Sequence, residues 1–341
     1  MIHRPPVVRA TMTISNYFRA SFISVVVLGT SAPAIAAPAT PPAPVAQIGA
    51  DGVGMLFPAE SSGSSFRLGT ANPADAAPFF DMEGDEATPG TEAGVAYWST
   101  TGHRVTYASG APAGKTVRLH LRPGGGEQSF TWRDGAMENG FIGSPEDLLN
   151  FEATVYVRVH EDNGTHHSMS WKMRGGQHTK PETARASCVG MDVPFDGVAP
   201  QAFRELDHPT YDHLDLTPFF DYQLEEGRWL GVKVVSYLVE GGTRNLLFLD
   251  TEPFDASGAP RNQFRLFTEW YDRDGENTGH YDRAATWAGW ETTFRVDGWK
   301  RVDFAYPSAS EIVPPARHAP FVLDRDLLSA SRRILSVPPA P

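Results

Sequence analysis

Hydrophobic and polar residues alternate along residues 229–238, Trp-Leu-Gly-Val-Lys-Val-Val-Ser-Tyr-Leu. Successive side chains of a strand point to opposite faces of a sheet, so this pattern predicts a strand with two different faces. The face expected against a core carries Leu230, Val232, Val234 and Leu238. The opposite face carries Trp229, Lys233 and Tyr237. Those three groups suit sugar rings and an anionic group, although a solvated outer face would carry the same residues.

A second alternating run occupies residues 171–179, Trp-Lys-Met-Arg-Gly-Gly-Gln-His-Thr. One face of this predicted strand carries Lys172, Arg174 and His178, and the other carries Trp171, Met173 and Gln177. A guanidinium matches a carboxylate, and an imidazole exchanges protons near neutral pH, which favours a functional face. The alternative is an edge strand whose charges stay in water and whose glycines mark a bulge.

Short alternating runs recur through the rest of the chain, and they predict a single all-β domain. They cover residues 53–58, 94–98, 104–107, 116–121, 151–160, 244–250, 264–271 and 292–296. Between Trp132 and Trp299 almost no stretch keeps a helical period. We therefore predict a jelly-roll β-sandwich of about 12 to 16 strands in two antiparallel sheets.

Composition supports this prediction and excludes some functions. The chain has 341 residues with 32 Gly and 28 Pro, which fits many turns. Cys188 is the only cysteine, so no intramolecular disulfide forms and the fold depends on its hydrophobic core. The net charge of −12 argues against a nucleic-acid partner, so an anionic substrate would require a local basic groove.

The first residues predict export. Arg4, Arg9 and Arg19 accompany an apolar run at 22–29 and an Ala-Ile-Ala site that ends at Ala36. This is the pattern of a Sec-type signal peptide, and the run is too short for a permanent membrane span. We expect a periplasmic or extracellular monomer. Its expected segments are a signal at 1–36, an Ala/Pro-rich spacer at 37–52, the jelly-roll domain at 53–306 and a Pro-rich tail at 307–341.

The strands resemble the concanavalin A-like jelly roll and, within it, the alginate-lyase-like polysaccharide lyases. Residues 229–237 are similar to that family's Lys- and Tyr-bearing strand and keep the Lys-to-Tyr interval, but Leu238-Val239 replaces the family's Asn-Gln. Gln177-His178 resembles the Gln-x-His motif without its middle residue, and Arg174 is the nearest counterpart of the Arg-rich strand. A further similarity is to uncharacterised exported proteins with Arg-Gly-Gly-x-His, Glu-x-x-His-Pro-x-Tyr and Trp-x-Gly-x-Lys segments. Residues 174–178, 205–211 and 229–233 reproduce that order.

The resemblance implies β-elimination on an acidic, uronate-containing glycan. Arg174 and Lys233 would neutralise the uronate carboxylate, His178 would remove the C5 proton, and Tyr237 would protonate the leaving oxygen or do both. The residues expected to bind substrate are Trp229, Tyr156, Arg158, Gln177, His208 and Tyr211. This scheme needs no metal or other cofactor.

The competing hypothesis is a non-catalytic carbohydrate-binding or surface protein that stacks sugar rings on Trp229 and Tyr156. The lyase hypothesis places residues 171–179 and 229–238 in one sheet beside a shared groove, with residues 205–213 near its rim, whereas sugar binding alone does not require His178 and Tyr237 to approach each other. That rim segment is alternatively a solvated loop, or a metal site using His208 and His213. Residues 272–277 faintly resemble a calcium loop, but an acidic hairpin turn is favoured.

Overall fold

In the computed structural model, two antiparallel β-sheets pack face to face. The structure describes residues 41–106, 112–125, 148–163, 167–175, 188–193, 199–207, 210–276 and 279–315, which lie in one compact unit. Within these residues the only helical element is a single 3-10 turn, Pro73–Asp75. The all-β prediction is therefore confirmed.

Eighteen strands are found in the described residues. In chain order they are β1 (Gln47–Ile48), β2 (Gly54–Met55), β3 (Ser65–Arg67), β4 (Phe80–Glu83), β5 (Thr88–Glu92), β6 (Val95–Thr101), β7 (His103–Thr106), β8 (Pro112–Leu121), β9 (Phe151–Asp162), β10 (Ser168–Gly175), β11 (Cys188–Val193), β12 (Gln201–Asp207), β13 (Thr210–Asp215), β14 (Leu230–Val239), β15 (Gly242–Asp250), β16 (Arg265–Arg273), β17 (Glu291–Asp297) and β18 (Trp299–Glu311).

The strands form two large sheets with similar plans. The first sheet has the order β16-β15-β14-β9-β18-β6-β5, with β3 paired to β18. The second has the order β13-β12-β11-β10-β17-β8-β4, with β7 paired to β8. Along the described strands, the chain crosses between the two large sheets eight times: from β3 to β4, β4 to β5, β6 to β7, β8 to β9, β9 to β10, β13 to β14, β16 to β17 and β17 to β18. These crossings between antiparallel sheets make the sandwich a jelly roll, and β1 and β2 form a small separate ribbon.

Alternation along the strands produces the core between the sheets. On β14, Leu230, Val232 and Val234 face this core as predicted. The β9 residues Phe151, Val155 and Val159 join them from the same sheet. The second sheet contributes alternating side chains of β10 and β11, namely Met169, Trp171, Met173, Val189, Met191 and Val193.

Strands are found on both sides of the expected bounds of 53–306. β1 lies inside the expected spacer, and β18 runs five residues past Tyr306 to Glu311. Pro307 does not end β18 because the ladder with β9 is irregular between Ala305 and Ser308, where a missing N–H is tolerated. The expected signal at 1–36 lies outside the described residues.

Candidate functional site

The outer face of the first sheet, where the sequence predicts an open groove, is covered by the chain itself. Residues 53–57 pack on it together with Phe254 and Phe264, and they form a second hydrophobic cluster with Tyr156, Val235, Leu246 and Phe248. This sheet is therefore apolar on both sides. The predicted groove is absent there because a segment far away in sequence fills it.

Lys233 lies beneath this cover and is fully buried. Its ammonium donates to Glu152 Oε1, to the Gly54 carbonyl at 2.9 Å and to Thr154 Oγ1 at 2.6 Å. Burial lowers the pKa of Lys233, and the Glu152 carboxylate opposes that change. Glu152 also accepts the backbone N–H groups of Leu56 and Phe57, so the pair fixes the cover to the sheet. The expectation that Lys233 faces an open groove is wrong.

Tyr237 and Tyr156 are also enclosed on this face. The Tyr237 ring lies 6.0 Å from that of Phe57, and burial raises its pKa. The Tyr156 ring lies 4.9 Å from Phe254 and 6.1 Å from Tyr306. Neither phenol is placed to meet a glycan in this structure, because both rings pack on the chain's own aromatic residues.

Arg158 and Trp229 form a cation–π pair at the rim of the same face. The Arg158 guanidinium lies 4.7 Å from the centre of the Trp229 ring, and it binds Asp303 at 2.9 Å and Glu92 at 2.6 Å. Two carboxylates therefore neutralise Arg158. Trp229 remains half-buried, whereas Lys233, Tyr237, Tyr156 and Arg158 on the same face are buried.

Arg174 does not lie on the face that strict alternation predicts. The ladder between β10 and β17 shifts register between Lys172 and Gly175, and Arg174 has a φ of +57°. This bulge turns the Arg174 side chain toward the first sheet, where its guanidinium donates to Ser236 Oγ at 3.0 Å. It also donates to the carbonyls of Leu149 and Trp287, each at 2.8 Å. Arg174 is fully buried and links the two sheets at one end of the core.

The predicted juxtaposition of the two strands is wrong. β10 belongs to the second sheet and β14 to the first, so Arg174 shares no open groove with Lys233 or Tyr237. Gln177, His178 and His208 lie outside the described residues. Of the described residues expected to bind substrate, only Tyr211 lies on the outer face of the second sheet.

The outer face of the second sheet is polar from edge to edge, and we call it the polar face. One row of paired residues crosses six strands: His213, Phe203, Gly190, Lys172, Thr293, His120 and, on a seventh strand, Asp81. A neighbouring row consists of Asp192, Ser170, Arg295, Arg118 and Glu83. Alternation builds this face, because the residues between these positions are apolar and point to the core.

Lys172 is the centre of one cluster on the polar face. Its ammonium donates to Glu205 Oε2 at 2.8 Å and to the Tyr211 hydroxyl at 3.1 Å. Three rings lie beside it: Tyr211 stacks on His213 at 5.8 Å with an interplanar angle of 18°, and Phe203 lies 5.6 Å from Tyr211. The Phe203 ring lies over Gly190, where an added Cβ would be 2.1 Å from its Cζ atom. The absence of a side chain at Gly190 therefore leaves room for the Phe203 ring of this aromatic platform.

A second cluster surrounds His120 on the polar face. His120 Nδ1 lies 2.9 Å from Glu291 Oε1, and Arg122 Nε donates to the other Glu291 oxygen at 2.9 Å. Burial alone would lower the pKa of His120, but Glu291 and Glu83 outweigh it and raise the pKa to about 9. The imidazole is therefore charged at neutral pH and held between two carboxylates.

Asp192 differs from the other acids of the polar face because it makes no hydrogen bond or ion pair within the described residues. Burial raises its pKa to about 7, although Lys172 and Arg295 act in the opposite direction. A carboxyl group with this pKa can both take up and release a proton near neutral pH.

Some residues of the polar face carry a sequence signal of their own, although it is weak. Residues 188–193, Cys-Val-Gly-Met-Asp-Val, alternate as cleanly as β14 but are too short to stand out. The polar positions of β8 and β17 likewise follow from alternation along strands that the sequence predicts. Their assembly on one face depends on strand order, which alternation does not determine.

A metal-binding group of side chains is not found in the part of the chain that the structure describes. The described residues contain no group of three or more His, Cys, Asp or Glu residues placed to hold a metal ion. In the segment that resembles a calcium loop, Asp272 is buried, binds Arg204 Nε at 2.8 Å and accepts the Ala285 N–H at 2.9 Å. None of the described segments forms a helix with the length and apolar character needed to cross a bilayer.

Comparisons with known proteins give a likeness of fold alone. No family model matches the chain, and no curated protein matches it, so the resemblance to polysaccharide lyases gains no support. Lectin II from Ulex europaeus shares 9% identity and a TM-score of 0.37, over 72% of this chain and 97% of the lectin. A Bacillus subtilis protein of unknown function with a galectin-like fold shares 11% identity and a TM-score of 0.34, over 75% and 99%.

The botulinum neurotoxin type G receptor-binding domain is also similar, with 7% identity and a TM-score of 0.31 over 69% of this chain. The chain spans less than half of that domain, 44% of its length.

Proposed function

We propose that the protein binds a carbohydrate chain across the polar face of the second sheet. The observation that carries this proposal is the platform of Phe203, Tyr211 and His213 beside the Lys172–Glu205 ion pair. Aromatic rings stack on the apolar faces of sugars, and fixed charged groups beside them exchange hydrogen bonds with hydroxyls.

The platform suits stacking because its outer ring is exposed and uncharged. His213 is exposed, and Tyr211, its neighbour on the same face of β13, is half-buried. Burial lowers the pKa of His213, although Asp212 opposes the change. The imidazole therefore stays neutral at neutral pH and offers a flat, apolar surface to a sugar ring.

Calorimetric titration with a panel of neutral and acidic polysaccharides tests this proposal. His213→Ala removes the outer ring, and we expect it to weaken binding about tenfold, which corresponds to a loss of about 1.4 kcal/mol. Tyr211→Phe removes only the hydroxyl bound to Lys172 and should weaken binding less. Tyr271→Ala, at a half-buried aromatic residue on β16 of the first sheet, is the control and should bind as the wild type does. Binding that is unchanged in His213→Ala, or absent for every polysaccharide, contradicts the proposal.

A second candidate function is β-elimination on a uronate glycan, and the unpartnered Asp192 is the observation that favours it. In this scheme the Asp192 carboxylate takes the proton from C5. The electron pair of the broken C5–H bond then forms the C4–C5 double bond, and the C4–O bond breaks. Tyr211 donates its proton to the leaving oxygen, since burial raises its pKa and keeps the phenol protonated. Lys172 and Arg295, the cations nearest Asp192, would hold the uronate carboxylate.

Ultraviolet absorbance of the unsaturated uronate product distinguishes the two functions. If elimination occurs, Asp192→Asn should reduce its rate by about 10²- to 10⁴-fold while binding persists, because the amide cannot accept the proton. Tyr271→Ala again serves as the control. Polysaccharide binding without any product from the wild-type protein rules out the lyase and leaves the binding function intact.

A further inference from the structure

A cavity of about 290 Å³ opens at the rim of the first sheet, where β14 begins. Trp229 and Tyr222 line it together with Gln223, Asp221 and Glu252. It shares no residue with the polar face, which belongs to the other sheet. Its size is near the lower end for ligand pockets, which suits one or two sugar rings better than a larger ligand.

Trp229 is held in a fixed orientation within this cavity. Tyr97 and Phe254 contact the indole edge-on, with centroids at 5.7 and 5.5 Å, and the Arg158 guanidinium covers one face of the ring. Arg158 is itself anchored by Asp303 and Glu92. A ring fixed in this way loses little freedom when a ligand stacks on it, so its contacts contribute more fully to affinity.

The charges that line the cavity favour neutral and amino sugars over acidic sugars. Three carboxylates line it, those of Asp221, Glu225 and Glu252, against the single guanidinium of Arg228. Glu225 pairs with Arg228 at 2.9 Å and Glu252 pairs with Arg261 at 2.6 Å. Asp221 makes no hydrogen bond or ion pair to any described residue. The net negative lining disfavours uronates and phosphates, whereas carboxylates accept hydrogen bonds readily from hydroxyl and ammonium groups.

We propose that this cavity is a second carbohydrate site, specific for a neutral or amino sugar that stacks on Trp229 and donates hydrogen bonds to Asp221. Gln223 supplies a donor and an acceptor for the remaining hydroxyls. The site is separate from the polar face, so each site binds its ligand when the other is altered.

Calorimetric titration with the methyl glycosides of glucose, galactose, mannose, glucosamine and glucuronic acid tests the second site. We expect millimolar affinity for at least one neutral or amino sugar and at least tenfold weaker binding of the glucuronide. Trp229→Ala should abolish binding, and Asp221→Asn, a change at the surface that preserves shape, should weaken it at least fivefold. Asp282→Asn, an exposed aspartate elsewhere in the fold, is the matched control.

Two further comparisons make each outcome decisive. Tyr211→Phe and His213→Ala alter the polar face and should leave glycoside affinity unchanged, so failure of one site is distinguished from failure of the other. In the NMR spectrum of the wild type, the Trp229 indole N–H resonance should shift as the glycoside is added. This measurement does not depend on whether the Trp229→Ala variant folds. Absence of binding by every neutral and amino sugar, equal affinity for the glucuronide, or unchanged affinity in Asp221→Asn overturns the proposal.

Discussion

Single buried charges in this protein are stable because each has a partner at a specific position. Lys233 and Glu152 illustrate the point, since either one alone would be an uncompensated charge in an apolar layer. Removing one member of such a pair costs more than replacing both.

We therefore expect Lys233→Met to lower the free energy of unfolding by about 3 to 5 kcal/mol. The double variant Lys233→Met with Glu152→Gln should recover part of that loss, because no buried charge remains. Urea denaturation measures both. Lys300→Met is the matched control, since Lys300 pairs with Glu161 at the surface at 3.6 Å and should change stability by less than about 1 kcal/mol. An equal loss in the single and double variants would contradict the account.

His120 makes stability depend on pH in a defined direction. Its pKa is about 9 in the folded protein, above its ordinary value of 6.5. The stabilisation is complete below about pH 6.5 and is lost as the pH rises through 9, where the folded protein releases the proton. The shift corresponds to an upper limit of about 3 kcal/mol.

Denaturation midpoints measured from pH 6 to pH 10 should therefore fall more steeply for the wild type than for His120→Gln, within the expected window of about pH 6.5 to 9. His103→Gln, at an exposed histidine, should keep the wild-type slope. Parallel curves for the wild type and His120→Gln would show that the imidazole does not carry this dependence.

At the scale of elements, glycine sets the shape of the polar face. Gly190 on β11 lies beneath the Phe203 ring of β12, and a Cβ there would also come within 2.7 Å of the Trp171 carbonyl. We expect Gly190→Ala to destabilise the protein by about 1 to 3 kcal/mol through overpacking.

A double-mutant cycle checks this contact. Phe203→Ala removes the ring over Gly190, so part of the cost of Gly190→Ala should disappear in the double variant, and thermal denaturation would show a coupling of about 1 kcal/mol. Gly227→Ala is a contrasting variant, because no atom lies within 4 Å of its added Cβ and only its φ of +77° opposes the change. Strict additivity of Gly190→Ala and Phe203→Ala would refute the steric explanation.

Alternation predicts the inner faces of the strands correctly, as Leu230, Val232 and Val234 show. It fails for Lys233 because residues 53–57, which cover it, lie far away in the chain and carry no local sign of their destination. A clue is nevertheless present in β15, where Leu246 and Phe248 are apolar on the side expected to be open. A strand that is apolar on both faces indicates that both faces are covered.

Arg174 illustrates the second limit of sequence patterns. One irregular residue turns a side chain to the other face, and a bulge carries only a weak signal in a segment that already contains two glycines. Lys172 comes before the bulge and keeps its predicted face. The candidate site therefore lies on the strand that the sequence identifies, but its partners come from β11, β12 and β13 rather than from β14.

At the scale of the whole molecule, the last two strands of the described residues, β17 and β18, occupy central positions. β17 separates β10 from β8 in the second sheet, and β18 separates β9 from β6 in the first. A chain that ends before Glu291 would leave each sheet in two parts. We expect it to show no cooperative thermal unfolding, as measured by circular dichroism, whereas a chain that ends at Pro315 and keeps all eighteen strands should unfold cooperatively. Cooperative unfolding of the shorter chain would contradict this prediction.

The same arrangement affects the nascent chain on the ribosome. Until β17 and β18 emerge, β6, β8, β9 and β10 each have an edge of unpaired backbone groups, which can pair with other chains. Neither sheet can close before β17 and β18 are synthesised, so domain formation follows synthesis of the sixteen described strands that precede them. We expect the growing polypeptide to depend on chaperones that shield strand edges, and slower translation of residues 291–311 would prolong that dependence.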